Sequence, residues 1–445
     1  MEVMIEQIII YGTVFVICAI TIFFYLRKKS RDSKKIARKV AFAKEEGLFE
    51  PVSLHPYIDL NTCIGSAACV ADCPEKDILG IVDGKATVIN TSNCVGHGAC
   101  FHACPVEAIS LRIGTESRGV DLPHVNENFE SNSKGIYIAG ELGGMGLIKN
   151  SVEQGQQAIE NMVKNKKPSK ENVLDVVIIG AGPAGISASL AAKKSNLSSV
   201  TLEQDSLGGT VYTFPRAKIV MTSPMNLPLY GKVKLYDTSK DELLQLWKQV
   251  IAQYSLKIFE NTKVEDIIPI ENETFKITTN KGDEYICNNV LLAIGRRGSP
   301  RKLGVPGEDL PKVAYRLLEP ERISGKKIIV VGGGDSAIES ALLLNSSNEV
   351  VLSYRKDKFS RLKPKNKENI LNAINSNSLE VLFNSNIISI GEKNLTIKTG
   401  ENGTVKEIEN DLVYIFAGGE LPASFLQKAG VEITKRFGHI VKKYK

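Results

Sequence analysis

No Cys-x-x-Cys pair occurs anywhere in the 445 residues, so the chain lacks the vicinal dithiol on which thiol-disulfide exchange depends. A disulfide framework is also missing. Six of the eight Cys fall in two short runs, Cys18 lies in an apolar segment and Cys287 stands alone, a usage suited to a reducing compartment. Beyond residue 44 there is no charge excess of either sign, since 47 Lys and Arg face 47 Asp and Glu. The net charge of +6 therefore belongs to residues 1–44, where nine basic residues oppose Glu2, Glu6 and Asp32. That argues against a nucleic-acid-binding body. With 43% apolar and 24% charged residues the chain is not disordered, and its length allows two to four domains.

Charge is missing altogether from Ile8 to Leu26. These 19 residues make roughly 28 Å of helix, enough to cross a hydrocarbon core. Arg27, Lys28, Lys29, Arg31, Lys34 and Lys35 follow at once, which places residues 1–7 outside and the rest in the cytoplasm as a single-pass protein of the cytoplasmic membrane. A cleaved signal peptide would need a basic leader and a small-residue cleavage site, whereas this leader is acidic. Within a basic linker spanning residues 27–54, residues 33–46 are expected to form a short separate helix on the membrane surface.

The two Cys runs are Cys63-x5-Cys69-x3-Cys73-Pro74 and, after a 20-residue spacer, Cys94-x5-Cys100-x3-Cys104-Pro105. Residues 55–112 thereby resemble the bacterial two-cluster ferredoxins, whose Cys-x2-Cys-x2-Cys-x3-Cys-Pro run occurs twice. In that family the fourth Cys of each run ligates the other run's cluster. The resemblance implies one cluster on Cys63, Cys69 and Cys104 and another on Cys94, Cys100 and Cys73, joined by a hairpin around Val82-Asp83-Gly84-Lys85. Each run departs from the family where its second Cys should stand, with Ser66 in the first and His97 in the second. Three thiolates suit a [3Fe-4S] cluster, or a [4Fe-4S] cluster whose fourth iron takes Ser66, His97 or water. A neutral imidazole in place of a thiolate raises a cluster's potential, so the His97 cluster is expected to be the easier to reduce. A degenerate ferredoxin with one cluster or none is the alternative; a zinc site lacks the paired spacing it would need.

Two glycine-rich turns follow. Val173 to Ile179 reads as a buried strand running into Gly180-Ala181-Gly182-Pro183-Ala184-Gly185 and a helix to about Lys194, with Glu203 18 residues past the last Gly. This is a strong dinucleotide fingerprint: the glycines admit a pyrophosphate at the helix N-terminus and the acid accepts from ribose hydroxyls. Lys327 to Val331 reads as a second such strand, leading through Gly332, Gly333, Gly334, Asp335, Ser336 and Ala337 into a helix over Ile338 to Leu344. Its second strand, Glu349 to Ser353, ends in Tyr354-Arg355-Lys356 with Arg361 beyond, where basic groups would pair with a 2'-phosphate; the second nucleotide is read as NADPH.

Together with Val290 to Gly295 and Gly304-Val305-Pro306-Gly307, these motifs resemble flavoproteins similar to thioredoxin reductase. The resemblance implies an α/β fold with two Rossmann-like domains, one for FAD at 173–311 and one for NADPH at 312–410, and a return to the FAD domain over 411–445. It adds Gly209, Thr210, Val264 and Gly295 to the FAD contacts. Arg355, Lys356 and Arg361 resemble the His-Arg-Arg segment of NADPH-dependent relatives, with Tyr354 and Lys356 as departures. In this family a strand ending Ala-Gly-Asp and a helix close the FAD domain at its C-terminal end. Here Gly135 to Gly140-Glu141 and a helix from about Gly146 to Lys164 come before it. The expectation is a circularly permuted flavin domain with its closing segment at 113–164, joined through Asn165 to Asn172, in which Glu141 takes the role of the family's Asp at the ribityl chain. A chance strand-helix pair in a linker is the alternative.

The expected function is a membrane-anchored oxidoreductase passing electrons from NADPH through FAD to two iron-sulfur clusters and an acceptor, with no catalytic acid or nucleophile. Bacillithiol disulfide reductases, a similar group, place a Cys where this chain has Ala184. Flow in the reverse direction, as a ferredoxin-type NADP+ reductase, and a redox sensor without sustained turnover stay open, as does a homodimer. Leu243, Leu246, Trp247, Val250 and Tyr254 follow helical spacing and are read as core. Cys287 is read as a buried small hydrophobe, and His55, His102, His124 and His439 have no ligand partner at a recognisable spacing.

Overall fold

The uncharged run and the basic run that follows it fold as one helix, α1 (Glu2–Glu45), because nothing between them breaks it: the only Gly is Gly12 and there is no Pro. The computed structural model describes residues 2–442 apart from 46–50, 52–53, 76, 92–93, 95, 97, 118, 145, 165–170, 214–218, 222–223, 236, 297–298, 360–361, 401–402 and 421. The short basic helix expected from residue 33 onward is therefore, as far as Glu45, the continuation of the apolar one. From Ile9 the helix is long and apolar enough to cross a membrane. Its hydroxyls are satisfied internally, Thr13 donating to the Ile9 carbonyl at 2.7 Å and Thr21 to that of Ile17 at 2.8 Å.

The chain divides into two units, residues 1–119 with 437–445, and residues 120–436. In the first unit α1 meets the hairpin formed by Leu79–Val82 and Lys85–Val88. Ser33, Ile36, Lys39, Val40 and Ala43 are the covered positions, at the three- and four-residue spacing of one helix face. Gly80 lets the helix approach, since a Cβ there would stand 2.6 Å from Ile36 Cγ2. Two one-turn helices, α2 (Ala68–Ala71) and α3 (Ala99–His102), carry Cys69 and Cys100.

The sheet of this unit corrects a sequence expectation. Strand Ile109–Ile113 pairs with His55–Ile58 on one side and with His439–Lys442 on the other, all antiparallel. Residues 411–445, expected to return wholly to the FAD domain, thus supply the ferredoxin-like unit with its third strand. His55 and His439 are strand residues of this sheet.

The second unit opens with Val120–Pro123, paired antiparallel with Ile433–Arg436. Its seven-stranded sheet places Leu174–Ile179 between Ser199–Leu202 and Glu284–Leu292, all parallel. Leu174–Ile179 is buried almost throughout, as a strand covered on both faces must be. The other side of Glu284–Leu292 is shared: Thr274–Thr279 pairs with its first half and Ile136–Ile138, parallel, with its end. Helix α4 (Ile148–Lys164) packs on α5 (Pro183–Lys194) closely enough that a Cβ on Gly155 would run into the Ala184 carbonyl oxygen, and the Ser187 hydroxyl donates to the Val152 carbonyl at 2.7 Å. Helix α6 (Lys240–Tyr254) buries Leu243, Trp247 and Val250, as its spacing predicts.

A second, five-stranded parallel sheet runs Val313–Ala314, Leu412–Ile415, Lys327–Val331, Glu349–Ser353, Glu380–Leu382. Helix α7 begins at Asp335, three residues before the expected start, and ends at Asn345. Helix α8 follows at Pro364–Asn375.

Candidate cofactor sites

In the first unit Cys63, Cys69, Cys104 and Ser66 line one small cavity, roofed by Ile58 and Ile109. Burial raises the Cys69 thiol above its ordinary range, and the neighbouring Cys104 and Cys63 add to the rise. Burial also pushes the Cys100 thiol up to about 12, and Cys94, Cys73 and Cys69 add to the rise. Cys94, likewise pushed up to about 12 by burial, has Glu75 and Cys73 beside it. Cys63, Cys69 and Cys104, one of the two crossed sets that the resemblance implies, thus share a cavity. None of the six thiols in the two runs is in a disulfide, and binding a metal here would have to expel their protons. Among the described residues no group of three or more His, Cys, Asp or Glu is placed to hold a single metal ion.

The first set also has the donors that a thiolate needs. Cys63 Sγ accepts from the Ala86 N–H at 3.4 Å and Cys104 Sγ from that of Ala108 at 3.3 Å, while Lys85 Nζ donates to the Cys63 carbonyl at 2.6 Å. Such bonds to sulfur tune a cluster's potential. Lys85 and these amides were missed in the sequence, where only the Cys positions carry a signal. Ser66 is exposed although it lines the cavity, and His97 lies outside the described residues.

In the second unit the first glycine turn joins Leu174–Ile179 to α5. A Cβ on Gly185 would run into the Gly180 carbonyl oxygen, so helix and strand close up only because Gly185 has none. Gly182 faces open space, next to the unsatisfied N–H groups at the start of α5, where Pro183 and Ala184 begin the helix. Glu203 is buried, and burial raises its carboxyl; its Oε2 accepts from the Ala181 N–H at 2.7 Å and its Oε1 from that of Asp205 at 3.0 Å. Gly209 abuts Gly182, bringing Thr210 with it. Val264 lies buried in the sheet core. These features fit a dinucleotide: an open glycine cradle, helix amides and a fixed acid.

Gly140, Glu141 and Gly295 meet the same turn. The Gly140 N–H donates to Gln154 Oε1 at 2.8 Å, a Cβ on Gly140 would stand 3.1 Å from that of Ala184, and one on Gly295 would stand 3.9 Å from Glu141 Oε2. Arg296 completes this corner and was missed, its one sequence signal being that it follows Gly295. Burial depresses its guanidinium, opposed by the nearby Glu141 and Asp121, and its Nη2 donates to the Asp121 carbonyl at 3.4 Å.

The second glycine turn is built differently. Gly332 abuts Ala337, and Gly334 faces open space at the start of α7, beside Asp335 and the exposed Ser336. A Cβ on Gly333, however, would run into the Tyr354 ring. That ring stacks on Phe359 at 5.3 Å between centroids, and Phe359 tilts against Phe383 at 5.0 Å. Asp335 Oδ1 accepts from the Lys363 N–H at 2.9 Å and from Asn366 Nδ2 at 2.8 Å, which ties α7 to α8. Arg355 and Lys356 are exposed beside the turn, and Arg361 lies outside the described residues. An open turn flanked by two exposed cations fits an anionic nucleotide.

Residues 177–443 match the family described as pyridine nucleotide-disulphide oxidoreductase, and residues 55–105 match the 4Fe-4S dicluster domain. The chain is 27% identical to the bacilliredoxin reductase Bdr of Bacillus subtilis over 267 residues, 59% of this chain and 82% of that protein. It is 32% identical to a ferredoxin--NADP reductase of Picrophilus torridus over 255 residues, 55% of this chain and 72% of the relative. Among solved structures, the bacillithiol disulfide reductase Bdr (YpdA) of Staphylococcus aureus superposes with a TM-score of 0.52 at 26% identity, covering 60% of this chain and 85% of the other.

Proposed function

Starting from the pyridine nucleotide-disulphide oxidoreductase family, to which this chain belongs and which implies FAD and a nicotinamide nucleotide, we propose an NADPH-dependent FAD/iron-sulfur oxidoreductase held at a membrane by α1. When bound, FAD takes a hydride from the nicotinamide and gives up the electrons singly, which iron-sulfur clusters require. Gly180, Gly182, Pro183, Ala184 and Gly185 would receive its pyrophosphate at the α5 N-terminus, and Glu203 its adenosine ribose. Gly334 and the α7 N-terminus would receive the NADPH pyrophosphate, with Arg355 and Lys356 on the 2'-phosphate. Cys63, Cys69 and Cys104 would hold one cluster and Cys94, Cys100 and Cys73 the other, each [3Fe-4S] or a [4Fe-4S] with a non-thiolate fourth ligand.

The observation that carries this reading is the state of the remaining thiols. Bdr is named for a bacilliredoxin and bacillithiol activity, yet this chain has Ala184 in its first glycine turn and no Cys pair. Cys287, the one thiol outside the two runs and α1, is fully buried, and burial pushes it up to about 12. A thiolate is what attacks a disulfide, and burial holds Cys287 in its protonated form. In this reading the two thiol sets, holding clusters, are the redox groups that take its place.

The circular permutation belongs to the same proposal. It is supported by the parallel pairing of Ile136–Ile138 with Glu284–Leu292, by the packing of α4 on α5 and by the approach of Glu141 to Gly295. In this reading Glu141 holds the ribityl chain and Arg296 orients Glu141.

An anaerobic NADPH titration of the detergent-solubilised full chain, read by flavin absorbance and electron paramagnetic resonance with iron counted, tests the path. Bleached flavin with changed cluster signals supports it; bleached flavin over unchanged iron overturns it. The Picrophilus torridus relative favours a second reading, electron flow from a ferredoxin to NADP+, and cluster midpoint potentials below that of NADPH would select it.

A further inference from the structure

The contacts between α1 and the first unit fix which thiol set stands nearer the end of the apolar run. Ser33 lies seven residues past Leu26, about 10 Å along a helix rising 1.5 Å per residue. The headgroup layer beyond a hydrocarbon core is about 5–7 Å thick, so Ser33 stands just past it if Leu26 marks the boundary. The Ser33 hydroxyl donates to Asp83 Oδ1 at 3.2 Å and accepts from the Asp83 N–H at 3.0 Å. Ile36 meets Gly80, and Lys39 pairs with Asp77 at 2.5 Å. As α1 leaves the apolar run it thus meets the hairpin tip first and its base last.

The tip carries the first thiol set. A Cβ on Gly65, between Cys63 and Cys69, would run into the carbonyl oxygen of Gly84 at the tip, so the two backbones touch. Lys85 and Ala86, next in the hairpin, bond the Cys63 carbonyl and Sγ. The second set belongs to the base: Cys73 Sγ lies 3.2 Å from the Glu75 carbonyl oxygen, two residues before Asp77 and its Lys39 partner. Two apolar side chains next to the first set, Leu60 and Ile64, are 56% and 64% exposed, four residues apart on the same loop. Arg27, Lys28, Lys29, Arg31, Lys34 and Lys35 are all exposed on the same stretch of α1.

We infer that the loop holding Cys63, Ile64 and Ser66 lies against an anionic phospholipid surface, so that the Cys63, Cys69 and Cys104 set is the membrane-side redox centre and the Cys73, Cys94 and Cys100 set is the one held away. The basic stretch of α1 supplies the charge complement to the lipid, and Leu60 and Ile64 supply apolar contact at the headgroup layer. A redox partner that meets this chain through the first set must then itself be at the bilayer surface. The inference rests on α1 as a membrane span.

The test uses the full-length holoprotein reconstituted in vesicles of phosphatidylethanolamine and phosphatidylglycerol, with and without a lipid bearing a nitroxide on its headgroup. Tryptophan is introduced singly as Ile64→Trp, Leu60→Trp or Asp72→Trp, and emission is compared with the parent chain, whose Trp247 is the background; iron content shows that each variant is loaded. The expected result is a loss of about twofold or more at positions 64 and 60, with little change at position 72 on the second set's side. Equal or greater quenching at 72, or none at 60 and 64 in a protein that resists alkaline extraction, overturns the orientation while leaving the anchor intact. A chain released by alkaline carbonate overturns the anchor and the orientation with it.

Discussion

Tyr354 stands in the second nucleotide fold where Glu203 stands in the first. Leu202 pairs with Ile179 and Ser353 with Val331, and each of the two residues comes next in its chain. Glu203 reaches back to the N–H of Ala181; Tyr354 lays its ring on Gly333, the counterpart of Ala181. A carboxylate at this point accepts from ribose hydroxyls and repels a 2'-phosphate, and an aromatic ring does neither.

Nucleotide choice should therefore rest on the two cations that follow the ring. Replacing Arg355 and Lys356 together by Ala is expected to raise the NADPH concentration needed for half-maximal flavin reduction at least about tenfold, since a charge-assisted hydrogen bond is worth about 1.5–3 kcal/mol. The requirement for NADH should stay within about twofold. Stopped-flow flavin bleaching with each nucleotide measures both, and an equal loss for the two would sink the assignment.

Ligand crossing between the Cys runs gives a pairwise expectation. Cys69→Ser and Cys104→Ser should remove the same paramagnetic signal although they lie in different runs, and Cys73→Ser and Cys100→Ser should remove the other. Spectra that instead group Cys69 with Cys73 would contradict the proposed crossing and leave Cys104 beside Cys63 and Cys69 in their cavity without a role.

Gly65→Ala probes the same centre from the backbone. Gly65 has φ +70°, a conformation that costs an L residue about 1–2 kcal/mol, and its new Cβ would meet the Gly84 carbonyl as well. The variant should lose roughly half its iron and the signal tied to Cys69 and Cys104, while flavin content is kept. Full iron content would mean that the hairpin tip yields easily.

The pH dependence of folding has a definite sign at Glu308. Burial alone would raise its carboxyl, but bonds from the Tyr315 hydroxyl at 2.7 Å and the N–H groups of Leu303 at 2.6 Å and Gly304 at 2.7 Å bring it below the ordinary value of 4.5. A depressed carboxyl adds stability above about pH 4.5 that is lost as the pH falls through the folded value. Glu308→Gln should lower stability by about 1–3 kcal/mol at neutral pH, and the gap should narrow in acid. Denaturant unfolding at a series of pH values checks this; a gap that does not change with pH would remove the carboxylate from the account.

What could be read in the sequence was what is local. Both glycine turns, the strands that feed them and the paired Cys runs lie within a few dozen residues, and each is required by backbone chemistry that leaves a residue signature. Tyr354 was legible only as a departure, because its stack depends on Phe359 and Phe383, brought to it by the fold. The continuity of α1 was hidden by a change of composition at Leu26 that alters the solvent the helix prefers without altering its backbone. His439–Lys442 was misassigned because four residues carry no periodicity, and their partner strand lies more than three hundred positions away.

That last strand sets the order in which the protein can be finished. Most of the first unit is made before the second, yet the outer edge of Ile109–Ile113 stays unpaired until His439–Lys442 has left the ribosome. Everything from Val120 to Arg436 must emerge in the meantime. A nascent chain stalled before Phe437 would present a bare strand edge beside two sets of unliganded thiols, the form most open to mispairing. Completion of the three-stranded sheet is thus a late event that reports that the whole nucleotide-binding unit has been synthesised.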